Sequence, residues 1–106
     1  RIYNIDFDQL SFTWGSWLLI DKAPYNYAIE SVLAIYHLAF FKLKLNVCFF
    51  DVRKENVKVI NFHLRFGANK ISQNEHNIYF NFKKESFNTA IKKYKRFLSD
   101  EQILIN

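Results

Sequence analysis

The residues of this chain that could do chemistry are few, and most of them drop out on spacing. His37, His63, His76 and Cys48 form no C-x-x-C or H-x-x-x-H pair, so the spacing calls for no metal. There is no G-x-S-x-G elbow, no P-loop and no G-x-G-x-x-G turn. Cys48 stands in the most apolar stretch of the chain and reads as a small core residue rather than a nucleophile. His37, between Tyr36 and Leu38, reads as a packed or surface histidine. Two segments remain. In residues 22–28 (KAPYNYA), a strand feeds a loop and then a helix. A helix start of that kind gathers backbone N–H groups and positive dipole, which together suit a phosphate. Taken by themselves, these residues favour an ordinary strand-to-helix connection with proline in the first turn. The second segment, residues 51–68 (DVRKENVKVINFHLRFGA), puts His63 on a helical face beside Phe62 and Phe66.

The elements that must position these residues follow from periodicity. Residues 1–7 alternate as a half-buried strand, residues 8–11 turn, and residues 12–20 form a second strand with Gly15 as a candidate bulge. Ile29, Val32, Leu33, Tyr36, Ala39, Phe40 and Leu43 step by three and four, which predicts a helix over residues 25–43. Residues 46–52 are apolar on both faces and predict a strand covered on both sides. Asn56 stands at a cap position, Val59, Phe62, His63 and Phe66 share one face, and Gly67 ends that helix in a left-handed turn. Residues 68–73 and the alternation of Ile78, Phe80 and Phe82 predict a second hairpin around Asn74, Glu75 and His76. Phe87, Ile91, Tyr94 and Leu98 mark an amphipathic helix over residues 85–98, made basic by Lys92, Lys93, Lys95 and Arg96. The order predicts one α/β (α+β) domain over residues 1–106, a mixed β-sheet flanked by helices.

Composition narrows the class further. The chain has 106 residues, half of them hydrophobic and 19% aromatic, enough for one core and too apolar for disorder. One cysteine makes no internal disulfide, and no apolar run reaches the roughly twenty residues of a membrane span. A reducing, cytoplasmic setting is expected, with no membrane partner. The net charge of +5 favours anionic partners, although abundant Lys, Asn, Ile and Phe also fit the codon bias of an AT-rich genome. With no methionine, the chain reads as a fragment or a processed product.

Asn56, Val59, Phe62, His63, Gly67 and Ala68 resemble the segment N-x-x-(small)-x-x-F-Y-x-x-x-G-F of the GCN5-related N-acetyltransferases. Ala28, Ile29 and Glu30, then Phe40 and the strand of residues 46–52, are similar to the preceding helix and strand of that family, and residues 14–20 to the strand before its cofactor loop. Residues 1–83 fit the latter part of the fold, and the wording of residues 52–68 is similar to acetyltransferases of amino sugars or their nucleotide conjugates. The resemblance implies an acetyl-coenzyme A site. It places the pantetheine arm along Leu18, Leu19 and Ile20, and the pyrophosphate on Ala23, Pro24, Tyr25, Asn26, Tyr27 and Ala28. Asn56 and Phe62 would face the cofactor channel. His63 would stand for the family's tyrosine as proton donor to the leaving thiolate. Pro24 and Asn26 replace the family's loop glycines, which leaves a reduced phosphate cradle.

The implied function is direct transfer of acetyl to a small-molecule amine, without an acyl-enzyme and without nucleic acid. The resemblance leaves the general base open among Asp6, Glu30 and Glu75. It also lacks the family's first strand and helices, so apolar faces would need a homodimer partner or a longer parent chain. Two other readings stand beside it: a binding module that grips nucleic acid or an acidic partner with the basic final helix, and an inactive acetyltransferase-like piece used for assembly.

Overall fold

A computed structural model describes residues 2–15 and 22–94 of the chain. Its first hairpin joins β1 (Ile2–Asp6) to β2 (Ser11–Trp14). Asp6 ends β1 by accepting the N–H groups of Asp8 and Gln9 on Oδ1, at 2.9 and 3.0 Å. A later hairpin joins β4 (Asn69–Gln73) to β5 (Asn77–Lys83). There Asn74 Oδ1 accepts the N–H groups of His76 and Asn77 at 2.9 and 2.8 Å, a side chain standing in for the turn's missing carbonyl. Both turns fall where the polar clusters predict them. Between the hairpins lie α1 (Tyr25–His37), a π-helical turn (Leu38–Lys42), β3 (Val47–Arg53) and α2 (Val57–Phe66), and α3 (Lys84–Tyr94) follows β5.

The five strands form one mixed sheet in the order β1-β2-β3-β5-β4. β2 and β3 are parallel, in register at Ser11–Val47 and Phe12–Cys48, and the other neighbouring pairs are antiparallel. β3 keeps its partner β5 as far as Arg53–Asn77, whereas among the described residues its pairing with β2 stops at Phe12–Cys48. We call this parallel pair, whose ladder ends at Phe12–Cys48 among the described residues while β3 runs on beside β5, the fork of the sheet.

One face of the sheet carries the core. Phe12, Trp14, Cys48, Phe50, Phe80 and Phe82 point to the helices and meet Ile29, Leu33 and Tyr36 of α1, Phe62, His63 and Phe66 of α2, and Phe87 of α3 in one buried cluster. Tyr36 stands at its centre, with its ring 4.5 Å from Phe82 and stacked on Phe40 at 5.5 Å. Its hydroxyl accepts the Trp14 indole N–H at 3.1 Å, so a polar atom enters the core without losing its partner.

Several local expectations need correction. β3 is covered on one side only: Cys48, Phe50 and Val52 are buried, while Phe49, Asp51 and Arg53 alternate on an open face. Its apolar outward residue, Phe49, gave the impression of two covered sides. Gly15 stands just after the described part of β2, and the residues that would flank a bulge there lie outside the described residues. The irregularity sits in β1 between Tyr3 and Asp6, where Asn4 has φ +51°. β1 is an edge strand, exposed beyond Ile2 rather than half buried. The helix expected to run to residue 43 leaves α geometry at Leu38, and Leu43 N–H bonds Leu38 C=O, five residues back. The extra residue keeps Ala39 and Phe40 buried while turning the chain toward β3. The second half of the strand expected over residues 12–20 and the last turn of the helix expected over residues 85–98 fall outside the described residues.

Candidate active site

The fork is flanked by a cavity on its helical side and a groove on its open side. The cavity, about 160 Å³, lies between the start of α1 and the exposed flank of α2. Ala23, Tyr25, Ala28 and Phe62 wall it, together with the side chains of Lys58 and Arg65. Residues 58, 62 and 65 are one and two turns apart, so α2 presents them along one line. The first turn of α1 holds no acidic residue, and the lining of the cavity holds none. Among the described residues, a helix start with no acidic residue in its first turn, set opposite two cations, is electrostatically suited to an anion.

Pro24 occupies the cap position of α1, with φ −56° and ψ 149°, and its carbonyl accepts the Ala28 N–H at 3.0 Å. Tyr25, Asn26 and Tyr27 therefore supply the N–H groups of the first turn, and Ala28 contributes a wall rather than a donor. Asn26 lies inside the helix, not in the left-handed conformation that a cradle glycine would take. Tyr25 packs its ring on Phe62 at 6.4 Å and hydrogen-bonds to the Tyr94 side chain. Burial raises its pKa, while Arg65 and Lys93 pull it down.

Asn56 takes the cap position of α2 but makes no side-chain capping bond. Its ψ of 64° departs from the extended conformation in which a cap side chain reaches the first turn. At the other end Gly67 adopts φ +115°, as expected, and the N–H groups of Gly67 and Ala68 close on the His63 carbonyl at 3.1 and 2.9 Å.

His63 has surroundings unlike those of a free imidazole. It is 1% exposed, with its ring 4.2 Å from that of Phe50 and 6.4 Å from that of Trp14. Burial pushes its pKa down from 6.5 to about 3, so the ring is neutral near neutrality. The aromatic enclosure thus holds His63, expected as the proton donor to the thiolate, in its neutral form.

The groove on the open face, about 350 Å³, crosses the fork from Thr13 of β2 to Phe49 and Asp51 of β3. Tyr3, Ser72 and Tyr79 add hydroxyl groups, and Asp51 is the carboxylate in the lining. Asp51 sits opposite Tyr79 in the β3–β5 register. Asp6 serves the first turn, Glu30 is exposed on α1 and Glu75 lies in the second hairpin; none of them lines the cavity or the groove.

The structure thus gathers Ala23, Tyr25, Ala28 and Phe62 in one cavity, with Pro24, Asn26 and Tyr27 beside it, and sets His63 in the core behind. Leu18, Leu19 and Ile20 lie outside the described residues. Lys58, Arg65 and Asp51 were missed in the sequence. The spacing of Lys58 and Arg65 around Phe62 was available as a signal; that of Asp51 appears only once β3 is known to have an open face. Among the described residues no group of His, Cys, Asp and Glu could hold a metal, and no helix is long and apolar enough to cross a membrane.

Comparison with solved structures gives strong likenesses, among them the following two. FdhC, described as a nucleotide-linked sugar GNAT and solved in its apo form, is 39% identical over 92% of this chain, with a TM-score of 0.83. A GCN5-related N-acetyltransferase from Brucella melitensis is 16% identical over 95% of the chain, with a TM-score of 0.74, a likeness of fold. The match spans 55% of the FdhC chain and 51% of the Brucella chain, about half of each. No protein-family model matches the chain, and no curated protein does. A parallel fork inside a mixed sheet, a basic helix start beside it, and 39% identity to FdhC along nearly the whole chain together establish that this chain belongs to the GCN5-related N-acetyltransferase family.

Proposed function

We propose that this chain carries the acetyl-coenzyme A site of an N-acetyltransferase and one wall of its acceptor pocket, the acceptor being an amine on a small sugar. The observation that carries the reading is the fork itself, with a basic cavity on its helical side and a carboxylate groove on its open side. The donor set of the cavity fits the cofactor's anionic end: two side-chain cations, the N–H groups of Tyr25, Asn26 and Tyr27, and apolar walls from Ala23, Ala28 and Phe62. Leu18, Leu19 and Ile20, which the family resemblance assigns to the arm, would carry it, and Asn56 would border it. When bound, acetyl-coenzyme A supplies an acyl thioester activated toward an amine.

The chain's own residues then position and move protons. Asp51 takes the proton that the amine nitrogen loses as the N–C bond forms and the C–S bond breaks. Thr13, Tyr3 and Tyr79 orient the acceptor across the groove by hydroxyl hydrogen bonds and ring contact. His63, enclosed and neutral, holds β3 and α2 in register beneath the fork; its burial supports that wall role over proton donation to the thiolate. The description of FdhC as a nucleotide-linked sugar enzyme supports an amino sugar on a nucleotide as acceptor. A cytoplasmic setting goes with a cofactor made there and with the buried Cys48 thiol.

The test is calorimetric titration of the full-length protein with acetyl-coenzyme A, followed by acetylation of free and nucleotide-linked amino sugars. Micromolar binding and turnover of one sugar class are expected. No heat and no thermal shift at millimolar acetyl-coenzyme A would overturn the reading.

A further inference from the structure

Arg65 borders a second cavity on its far side. This one, about 290 Å³, lies between the end of α2 and the outer face of α3. Ser86, Thr89 and Lys93 line it, spaced three and four residues apart and so stacked along one face of α3. Lys93 donates through Nζ to the Arg65 carbonyl at 3.3 Å and lies 5.2 Å from the centre of the Tyr94 ring, which holds its ammonium at this spot. Every polar side chain of the lining can donate a hydrogen bond, and none is a carboxylate. The two cavities are neighbours, because Arg65 lines both and the Tyr25–Tyr94 hydrogen bond ties their walls together. Arg65 and Lys93 both act on the Tyr25 hydroxyl, which places the two cations within electrostatic reach of one point.

A ligand whose diphosphate fills the first cavity would therefore meet a second site for negative charge one side chain away. Two cations and two hydroxyl groups suit a terminal phosphate, which carries close to two charges and three acceptor oxygens near neutrality. We propose that the cavity formed by Arg65, Ser86, Thr89 and Lys93 takes the phosphate monoester on the ribose of the coenzyme, and makes this protein select coenzyme A over its 3′-dephospho form. The proposal rests on the reading that the first cavity holds the coenzyme's diphosphate. Lys93 is then a specificity residue with no part in acetyl transfer.

The experiment is calorimetric titration of the full-length protein with coenzyme A and with 3′-dephospho-coenzyme A, for the wild type, Lys93→Gln and Lys93→Arg. The wild type should prefer coenzyme A by about 10- to 100-fold, the scale of one or two charge-assisted contacts. Lys93→Gln should cut that preference about tenfold while leaving the affinity for the dephospho form within about twofold, and Lys93→Arg should retain it. Equal wild-type affinity for the two ligands overturns the proposal and leaves the cofactor reading intact. Parallel weakening of both ligands by Lys93→Gln does the same, since it makes Lys93 a structural cap of α2. Failure of either ligand to bind the wild type overturns the proposal together with the cofactor reading.

Discussion

The cavity on the helical side of the fork and the groove on its open side differ in charge, in walls and in how they are built. The cavity is basic and assembled from two helices: the start of α1 supplies backbone donors and α2 supplies Lys58 and Arg65. The groove is laid on strands, with one carboxylate, four hydroxyl-bearing side chains, and exposed apolar residues such as Phe49 and Ile71. Helices present free polar ends and long cationic side chains, so they suit a charged, extended ligand. A sheet face presents alternate side chains at fixed spacing, which suits a ring that must be held flat and approached from one side. On the proposed reading, the difference separates anion binding from proton transfer by placing them on opposite faces of the sheet, with Lys58 and Arg65 on one and Asp51 on the other.

The sharpest way to break this division is Asp51→Asn. It keeps the shape of the groove and removes the proton acceptor, so kcat/KM should fall about 10²- to 10⁴-fold. Calorimetric affinity for acetyl-coenzyme A should stay unchanged. A loss of cofactor binding instead would join the two sites that the structure separates.

The reciprocal change is Lys58→Ala with Arg65→Ala. Each charge-assisted contact is worth about 1.5–3 kcal/mol, so affinity for acetyl-coenzyme A should drop at least about tenfold and lose much of its salt dependence. The rate at saturating cofactor should hold, measured by steady-state kinetics. A fall in that rate at saturation would give the cavity a part in the chemistry.

His63, between the two sites, gives a stability test. Its pKa is depressed in the folded state, from 6.5 to about 3. The unfolded chain therefore binds the proton first as pH falls below 6.5, and unfolding becomes easier. Stability should be intact above pH 6.5 and decline below it by up to about 1.4 kcal/mol per pH unit toward pH 3. Denaturant melts across that window should show a shallower slope in His63→Gln. An unchanged slope would show that the imidazole is not the group titrating.

A smaller effect is expected for Tyr36→Phe, which leaves the buried Trp14 N–H without its acceptor and should cost about 1–3 kcal/mol in chemical denaturation. The smallest is the effect of His63→Gln on turnover, a decrease of less than about threefold against the 10²-fold or more that lost general-acid catalysis brings. A larger fall would return His63 to the reaction.

The two hairpins were legible because Asn74, Asp6 and their neighbours bond their own backbone, a local matter. The helix of residues 57–66 and its end at Gly67 were legible too, since a helical face and a left-handed residue leave their mark in consecutive positions. The family resemblance came from that same block, which is why it held along the chain. The failures share a cause. Whether β3 is covered on one face or two depends on which elements lie across it, and the spacing of Phe49 and Asp51 is the same in either case. The pKa of His63 depends on Phe50, Phe80 and Trp14, which reach it from three strands. Lys58 and Arg65 line one cavity only when the start of α1, some thirty residues away in the chain, is brought against them. The sequence by itself determined the order and type of the described elements, both hairpin turns and the family resemblance. Tertiary structure decided which side chains lose water and which charges meet, because desolvation and Coulomb interaction depend on distance in space and not along the chain.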